Sequence, residues 1–319
     1  LQEVAISGRV LLYAIASSVI TGVIFGMAPA RMLISRAGGR GAVPVLTHAT
    51  RATVGPAAWR HRAVLVGVNV VLSTGLLVAS GLLVPSFVSL LKVDPGFDPG
   101  GVLSMEVELS GREYDDTAKI AAFYDRLATS LSSLPGVTAV GASTNLPLTG
   151  SIDQWGFTIE GRQLANPEEA PDADRYGVEA DYFPAMKIPL VRGRLFTPAD
   201  GLGAPPVIVI GKTTAERLWP GEDPIGRRVT LAGGPNNPPR TIVGVVGDVH
   251  HDGLHLPVSY QAYMPQSQSP WPQSSMTMLI RVRDGQDPAA IAAAARERLR
   301  AIDPQQPIIR MRTYDSIIS

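Results

Sequence analysis

The sequence contains no cysteine and has few charged and aromatic residues. Its 319 residues include 18% charged and 6% aromatic side chains. The absence of cysteine excludes disulfide bonds, thiolate catalysis and zinc sites built from thiolates. Soluble domains usually carry about 25% charged residues, so the low charge indicates a chain that is partly embedded in a membrane. The apolar content of 45% excludes a disordered chain.

Charge is absent from two long stretches, Val10–Ala30 and Ala63–Leu91. A helix of about 20 residues spans the hydrocarbon core of a bilayer, so we predict transmembrane helices at residues 1–31 and 63–92. A signal peptide has a shorter apolar region of about 7–15 residues, and a buried core helix rarely needs so long an uncharged run. Pro85 is expected to mark a kink or an interfacial turn.

The charges that are present divide unequally along the chain. The formal net charge is zero, yet Leu1–Arg62 holds seven basic residues and one acidic residue, whereas Lys92–Ser319 holds 21 basic and 27 acidic residues. Short cationic loops remain in the cytoplasm, so the basic linker at 32–62 is expected to be cytoplasmic and the domain at 101–319 extracytoplasmic. The linker lacks helical periodicity and lies next to the membrane, which argues against a nucleic-acid partner.

Two β-α-β patterns bracket the outer domain. Val102–Leu109 alternates like a strand, Thr117–Leu134 has the apolar spacing of an amphipathic helix, and Val137–Ala142 is a second strand. Met276–Val282, Ala289–Ile302 and Ile308–Arg312 repeat this order. We therefore predict an α+β domain, a split β-α-β-β-α-β porter-like sandwich, with a β-rich mixed subdomain inserted at about 149–275.

Few residues suggest chemistry. Gly211-Lys212-Thr213 resembles the end of a phosphate-binding loop, but the first glycine of that loop is replaced by Pro206, so the segment is expected only to open a helix. His250, His251 and His255, with Asp248 and Asp252, form the densest group of metal-capable residues, but Gly253 and Pro257 interrupt helical spacing. A polar loop is favoured over a metal site. We predict no catalytic, cofactor-binding or metal-binding residue, and therefore no enzyme and no cofactor.

A set of short motifs carries a family resemblance. These motifs are, in order, VDPGFDP (93–99), VLSMEVEL (102–109), LPGV (134–137), NLPL (145–148), YF (182–183), IPLVRGR (188–194), WPGEDPIG (219–226) and IVGVVGDVHHDG (242–253). Their order and spacing resemble ABC-exporter permeases of the MacB/FtsX type. The match is closest to the large duplicated variants, in which two permease halves are fused.

The resemblance implies that residues 1–31 end a first permease half and that residues 63–92 begin a second half with a MacB-like periplasmic core domain. Such permeases continue into three more helices, so the chain is expected to be a fragment of a larger permease. One departure is Gly211-Lys212, where relatives often have an Asn-Glu pair.

The implied function is mechanotransmission, in which a cytoplasmic ABC-type ATPase drives movement of the outer domain for efflux or export. Further implied partners are the lipid bilayer of the inner membrane, other permease copies and a periplasmic protein. The alternative is a membrane-tethered extracytoplasmic sensor or binding module, although the 31-residue stretch 32–62 is short for a cytoplasmic output domain.

Overall fold

The computed structural model describes residues 56–90, 93–150, 153–162, 171–179, 181–231, 237–270 and 273–318. The first expected transmembrane helix, at 1–31, lies outside these residues, as does most of the basic linker. The chain divides into two units, with the boundary at Leu91 and Lys92. Each unit is described separately below.

The elements are numbered in chain order. The helices are α1 Pro56–Leu90, α2 Thr117–Ser132, α3 Tyr182–Met186, α4 Lys212–Leu218, α5 Ala292–Ile302 and α6 Asp315–Ile318. The strands are β1 Val102–Glu108, β2 Val137–Ser143, β3 Gln154–Ile159, β4 Asp172–Val178, β5 Leu190–Gly193, β6 Val207–Gly211, β7 Arg228–Leu231, β8 Arg240–Val246, β9 Tyr260–Pro265, β10 Ser275–Val282 and β11 Ile308–Thr313.

Helix α1 is long, apolar and exposed. Its segment Val66–Leu83 is the one stretch among the described residues that is long and apolar enough to cross a membrane. The large apolar side chains that the structure describes between Val64 and Leu83 are 50–73% exposed. The helix begins at Pro56, so Arg60 and Arg62, which the sequence assigned to the linker, are helical. It also continues past Pro85 to Leu90, and the interfacial turn expected at Pro85 is absent from this described helix.

The second unit starts with a four-stranded antiparallel sheet in the order β11-β1-β10-β2. These strands come from the two β-α-β patterns at the ends of the domain, and the observed elements confirm both patterns to within a few residues. Helices α2 and α5 cover one face of the sheet. Leu103, Met105 and Ile280 pack beneath them with Phe123 and Leu299 in one buried cluster. We call this part the sandwich.

Local sequence explains where the two covering helices begin. The Asp116 carboxylate accepts a hydrogen bond from the Ala118 N–H and caps α2, which buries Ile120, Phe123, Tyr124, Leu127 and Leu131. Asp287 caps the second helical segment in the same way through the Ala289 N–H. A single 3-10 turn, Pro288–Ile291, precedes α5. Proline suits the first position of this turn because it has no N–H that would need a partner there.

The insertion forms a closed barrel. Strands β3, β4, β9, β6, β8 and β7 pair in a ring, with parallel pairing between β4 and β9 and between β6 and β8. Strand β5 adds to one end of β8. Ile208, Ile210, Val229, Ile242 and Ala262 contribute to the buried apolar cluster of this barrel. The insertion is therefore the mixed, β-rich subdomain that the sequence predicts.

An aromatic cluster joins the sandwich to the barrel. Ser143 at the end of β2 pairs with Val178 at the end of β4, so the two sheets are continuous. Tyr182 and Phe183 of α3 pack with Tyr263 of β9 in the third buried cluster. A Cβ atom at Gly141 would lie 2.4 Å from the Tyr182 Cα, so only glycine allows α3 to sit this close to β2.

Candidate functional site: the junction after the apolar helix

The segment Asp94–Gly101 connects the apolar helix to the first strand of the sandwich. Its sequence repeats Asp-Pro-Gly, at 94–96 and again at 98–100. In each copy the aspartate carboxylate accepts a hydrogen bond from the glycine N–H at 2.9 Å. Two consecutive side-chain turns of this kind fix the local path of the backbone. We call this segment the entry segment.

The first turn of the entry segment is held against the loop after β8. The His250 N–H donates a hydrogen bond to the Pro95 carbonyl oxygen at 2.9 Å. Gly96 has φ of +84°, and a Cβ atom there would lie 1.8 Å from the Asp248 carbonyl oxygen. Both the backbone angle and the close approach therefore require glycine at this position. Phe97 is buried, and its ring lies edge-on to the Tyr314 ring with 5.5 Å between the ring centroids.

The second turn is held by Arg281, a residue of β10 whose surface is only 4% exposed. Its guanidinium donates hydrogen bonds to the carbonyl oxygens of Gly100 (2.7 Å), Asp98 and Ala185. One planar side chain therefore joins the entry segment, α3 and the sheet of the sandwich. The fork of donors in arginine makes this possible, whereas lysine offers a single point charge.

Asp98 adds an ionic component to the same junction. Its carboxylate accepts a hydrogen bond from Lys187 at 2.8 Å and lies 3.4 Å from the Arg281 guanidinium. Burial alone would raise the pKa of Asp98, but the Lys187 and Gly100 hydrogen bonds and the nearby positive charges lower it below its usual value. Burial lowers the pKa of Arg281, and the charge of Asp98 opposes that change. Asp98 is 41% exposed, so its ion pairs contribute little energy.

The histidine-rich loop bridges structural elements. The Asp248 carboxylate accepts hydrogen bonds from the Thr213 N–H and hydroxyl at the start of α4. His251 is buried with its ring edge-on to Tyr176, and its carbonyl oxygen accepts a hydrogen bond from the Leu148 N–H. Within the described part of the chain, no group of three His, Cys, Asp or Glu residues could hold a metal ion. His255 lies near Gly253 in the same loop.

The Gly211-Lys212-Thr213 segment opens helix α4, as the sequence predicts. Thr213 is held by Asp248, and Lys212 is an exposed residue 3.8 Å from Glu216 one turn later. A Cβ atom at Gly211 would lie 2.9 Å from the Gln261 side chain, so this glycine serves close packing against β9. These contacts account for all three residues as parts of a strand-to-helix turn.

Neither the role of Arg281 nor the contacts among the entry segment, the loop after β8 and the NLPL segment were predicted from the sequence. The entry segment contacts the loop Asp248–His251 through His250, and that loop contacts the NLPL segment through the bond between His251 and Leu148. One pattern could have indicated Arg281: a charged residue in the otherwise apolar strand Met276–Val282, on the face opposite the helices. Alternation fixes that face but does not show that α3 covers it.

The fold and the junction first define a class of protein. This is a mixed α/β domain, entered directly from an apolar helix long enough to cross a membrane. Residues 63–298 match the family described as MacB-like periplasmic core domain, and the chain belongs to this family. This family match confirms the resemblance to MacB/FtsX-type permeases. The chain therefore contains the extracytoplasmic domain of a transporter permease component, and permeases of this family work with ABC ATPase subunits in general.

Solved structures of similar domains include the periplasmic region of MacB from Actinobacillus actinomycetemcomitans, with 18% identity, a TM-score of 0.44, and coverage of 72% of this chain and 95% of that one. Another is a domain of a putative permease protein from Porphyromonas gingivalis, with 14% identity, a TM-score of 0.43, and coverage of 70% and 99%. A third is the extracellular domain of the noncanonic ABC-type transporter YknZ from Gram-positive bacteria, with 19% identity, a TM-score of 0.41, and coverage of 65% and 100%. No curated protein matches the chain in sequence.

Proposed function

We propose that this chain is a mechanotransmission component of an ABC-type exporter. In this proposal a cytoplasmic ATPase moves the membrane helices at 1–31 and 63–92, and the domain at 101–319 passes that motion to a periplasmic substrate for efflux or export. The host membrane is the bacterial inner membrane, which the chain crosses more than once. Other permease copies and a periplasmic protein are the remaining proposed partners.

The Arg281 junction is the observation that carries this proposal. A coupling domain must receive the displacement of a membrane helix without absorbing it in a flexible linker. The entry segment follows α1 closely in sequence, and both of its turns are fixed to the domain, one by His250 and Gly96 and the other by Arg281. A displacement of this segment would therefore reach β10 and α3 together.

The membrane region supports transmission over conduction. The described helix α1 has no charged residue from Val64 to Leu90. Polar or ionisable side chains inside the membrane usually mark the path of a substrate or an ion, and this helix offers none in that range. A substrate that never passes between the helices agrees with a domain that works by moving outside the membrane.

A distance measurement in the intact permease tests the proposal. Because the chain has no native cysteine, Thr129→Cys on α2 and Glu216→Cys on α4 allow two spin labels to be placed at exposed positions. In lipid nanodiscs with the ATPase, we expect the distance between the labels to change when ATP and vanadate are added. An ATPase that binds but does not hydrolyse ATP is the matched control for turnover.

Two outcomes would count against this function. A distance that never responds to the ATPase would refute mechanotransmission, and a response to a periplasmic ligand without the ATPase would favour a sensor. The topology has a separate test by alkaline phosphatase fusions. We expect activity for fusions after Lys92 and none for fusions within Arg31–Arg62, since the basic linker should remain in the cytoplasm.

A further inference from the structure

A cleft separates helix α2 of the sandwich from one end of the barrel. Its volume is about 360 Å³. One wall is the alanine-rich side of α2, and the other wall is the turn Phe196–Leu202 with Pro265. Helix α2 also contacts the short 3-10 turn Gln266–Gln268 that follows β9. The cleft therefore lies between the two subdomains.

Glu179 extends into this cleft from the end of β4. Its backbone is fixed, because its N–H donates to the Ala142 carbonyl oxygen and its own carbonyl oxygen accepts from the Tyr182 N–H. Its Oε1 atom is buried and has no hydrogen-bond donor among the described residues. A buried carboxylate oxygen without a donor is costly, whereas a neutral carboxyl group is tolerated. The closed geometry thus favours the protonated form.

Among the residues that the structure describes, the groups that face Glu179 do not provide a positive charge for it. From α2 come Asp125, which lines the same cleft, and Tyr124, whose hydroxyl is bonded to the Val107 and Ser274 carbonyl oxygens. From the barrel comes Asp200, whose carboxylate is paired with Arg194. Burial, followed by the charge of Asp125, raises the pKa of Glu179 to about 7.

We propose that Glu179 is a protonation-dependent latch between the sandwich and the barrel. The cleft is closed while the carboxyl group is neutral. When the group loses its proton, the carboxylate is repelled by Asp125 and gains hydration by moving toward water, so the cleft widens. The latch is a property of the extracytoplasmic domain and does not depend on the coupling to an ATPase proposed above.

The width of the cleft can be measured directly at different pH values. Spin labels at Thr129→Cys on α2 and Ala199→Cys on the facing turn place one probe on each subdomain, both at exposed positions. With the whole chain in nanodiscs and without an ATPase, we expect the distance to lengthen between pH 6 and pH 8, with a midpoint near the pKa of Glu179. Below that range the distance should be constant.

Three substitutions in this labelled chain make the test specific. Glu179→Gln keeps the shape of the neutral carboxyl group and should hold the short distance at every pH. Asp125→Asn removes the facing charge and should shift the midpoint to lower pH. Asp181→Asn, at an exposed carboxyl group two residues from Glu179, is the matched control and should leave the response unchanged.

The result that overturns the proposal is a distance independent of pH in the unsubstituted chain, or a pH response that persists in Glu179→Gln. Thermal unfolding of each variant at pH 6 separates a local change in the cleft from loss of the fold. A Glu179→Gln protein that is folded and unresponsive supports the latch, and a folded protein that still responds refutes it.

Discussion

Removal of the Arg281 side chain should destabilise the domain far more than removal of the charge on its ion-pair partner. The guanidinium donates hydrogen bonds to three carbonyl oxygens, those of Asp98, Gly100 and Ala185. In Arg281→Met these buried or partly buried oxygens lose their donor. A buried acceptor left without its donor costs about 1–3 kcal/mol, and because two of the three oxygens are only partly buried we expect a total loss of about 3 kcal/mol.

Two further variants separate the backbone contacts from the ion pair. Asp98→Asn keeps an oxygen for the Gly100 N–H and leaves the Arg281 bonds to carbonyl oxygens in place, so it should cost only about 0–1 kcal/mol, as expected for a partly exposed ion pair. Arg281→Lys keeps the positive charge but cannot reach three acceptors at once. We expect it to lose roughly 2 kcal/mol, since lysine does not replace a multidentate arginine.

The assay is urea unfolding of the intact chain in detergent, followed by tryptophan fluorescence. Hydrogen exchange provides a local measurement, because the Asp98 N–H donates to the Met186 carbonyl oxygen and should exchange faster when Arg281 is replaced. Equal losses for Asp98→Asn and Arg281→Met would show that the ion pair dominates, and our reasoning would be wrong. An Arg281→Lys protein as stable as the unsubstituted one would also refute it.

Three other predictions concern single residues. Gly96→Ala should lower the free energy of unfolding in urea by roughly 2–4 kcal/mol, because its Cβ would collide with the Asp248 carbonyl oxygen. Gly161 also has positive φ but lies in open space, so Gly161→Ala should cost only about 1 kcal/mol. Equal losses for the two variants would show that the collision at Gly96 is not the cause. Hydrogen bonds from Arg194 lower the pKa of Asp200 to about 2, although burial of the carboxylate opposes this change. The carboxylate therefore stabilises the fold above pH 4, and this stabilisation is lost as the pH falls through 2. The difference in stability between the unsubstituted chain and Asp200→Asn, about 2 kcal/mol at pH 6, should vanish near pH 2. Thr213→Val should lower stability by about 1 kcal/mol, because the Asp248 carboxylate loses the hydroxyl bond and keeps the bond from the backbone N–H. Lys212→Ala should change stability by less than about 0.5 kcal/mol. A larger effect of Lys212→Ala in thermal unfolding would indicate a role beyond the helix start.

The sandwich was predictable because the order of its strands and helices follows from local sequence patterns. Helix α2 has its apolar residues at helical spacing and an aspartate at its start, and each strand beside it alternates or is bounded by Pro-Gly turns. The strand Val137–Ser143 and the strand Ser275–Val282 pair antiparallel although they are far apart in sequence. That pairing follows from the β-α-β-β-α-β order once both β-α-β units are recognised.

The barrel was only partly predictable. Strand β9, Tyr260–Pro265, was missed, although it closes the ring through parallel pairing with Asp172–Val178. This strand is buried almost throughout, so it has no alternation between apolar and polar residues that would mark it. Strand β5 was also missed, since its four exposed residues read as a loop that precedes a turn.

The junction illustrates why local patterns do not show how distant segments meet. Asp94 and Asp98 were recognisable as turn residues, and Arg281 as a charge in a strand. Their meeting depends on α3, which is five residues long and packs over β2 only because Gly141 has no side chain. Helix α3 is too short to carry a periodic apolar pattern, so neither its existence nor the cover it gives Arg281 could be derived from the sequence.

Helix α3 also links the two devices proposed above. Its first N–H, from Tyr182, donates to the Glu179 carbonyl oxygen, and Ala185 near its end accepts a hydrogen bond from Arg281. A shift of the entry segment that moves Arg281 would therefore pull on α3 and, through it, on the backbone that carries the Glu179 carboxyl group. If both proposals hold, protonation of Glu179 and displacement of the entry segment act on the same short helix. The pH midpoint of cleft opening should then shift in Arg281→Met, although Arg281 does not line the cleft.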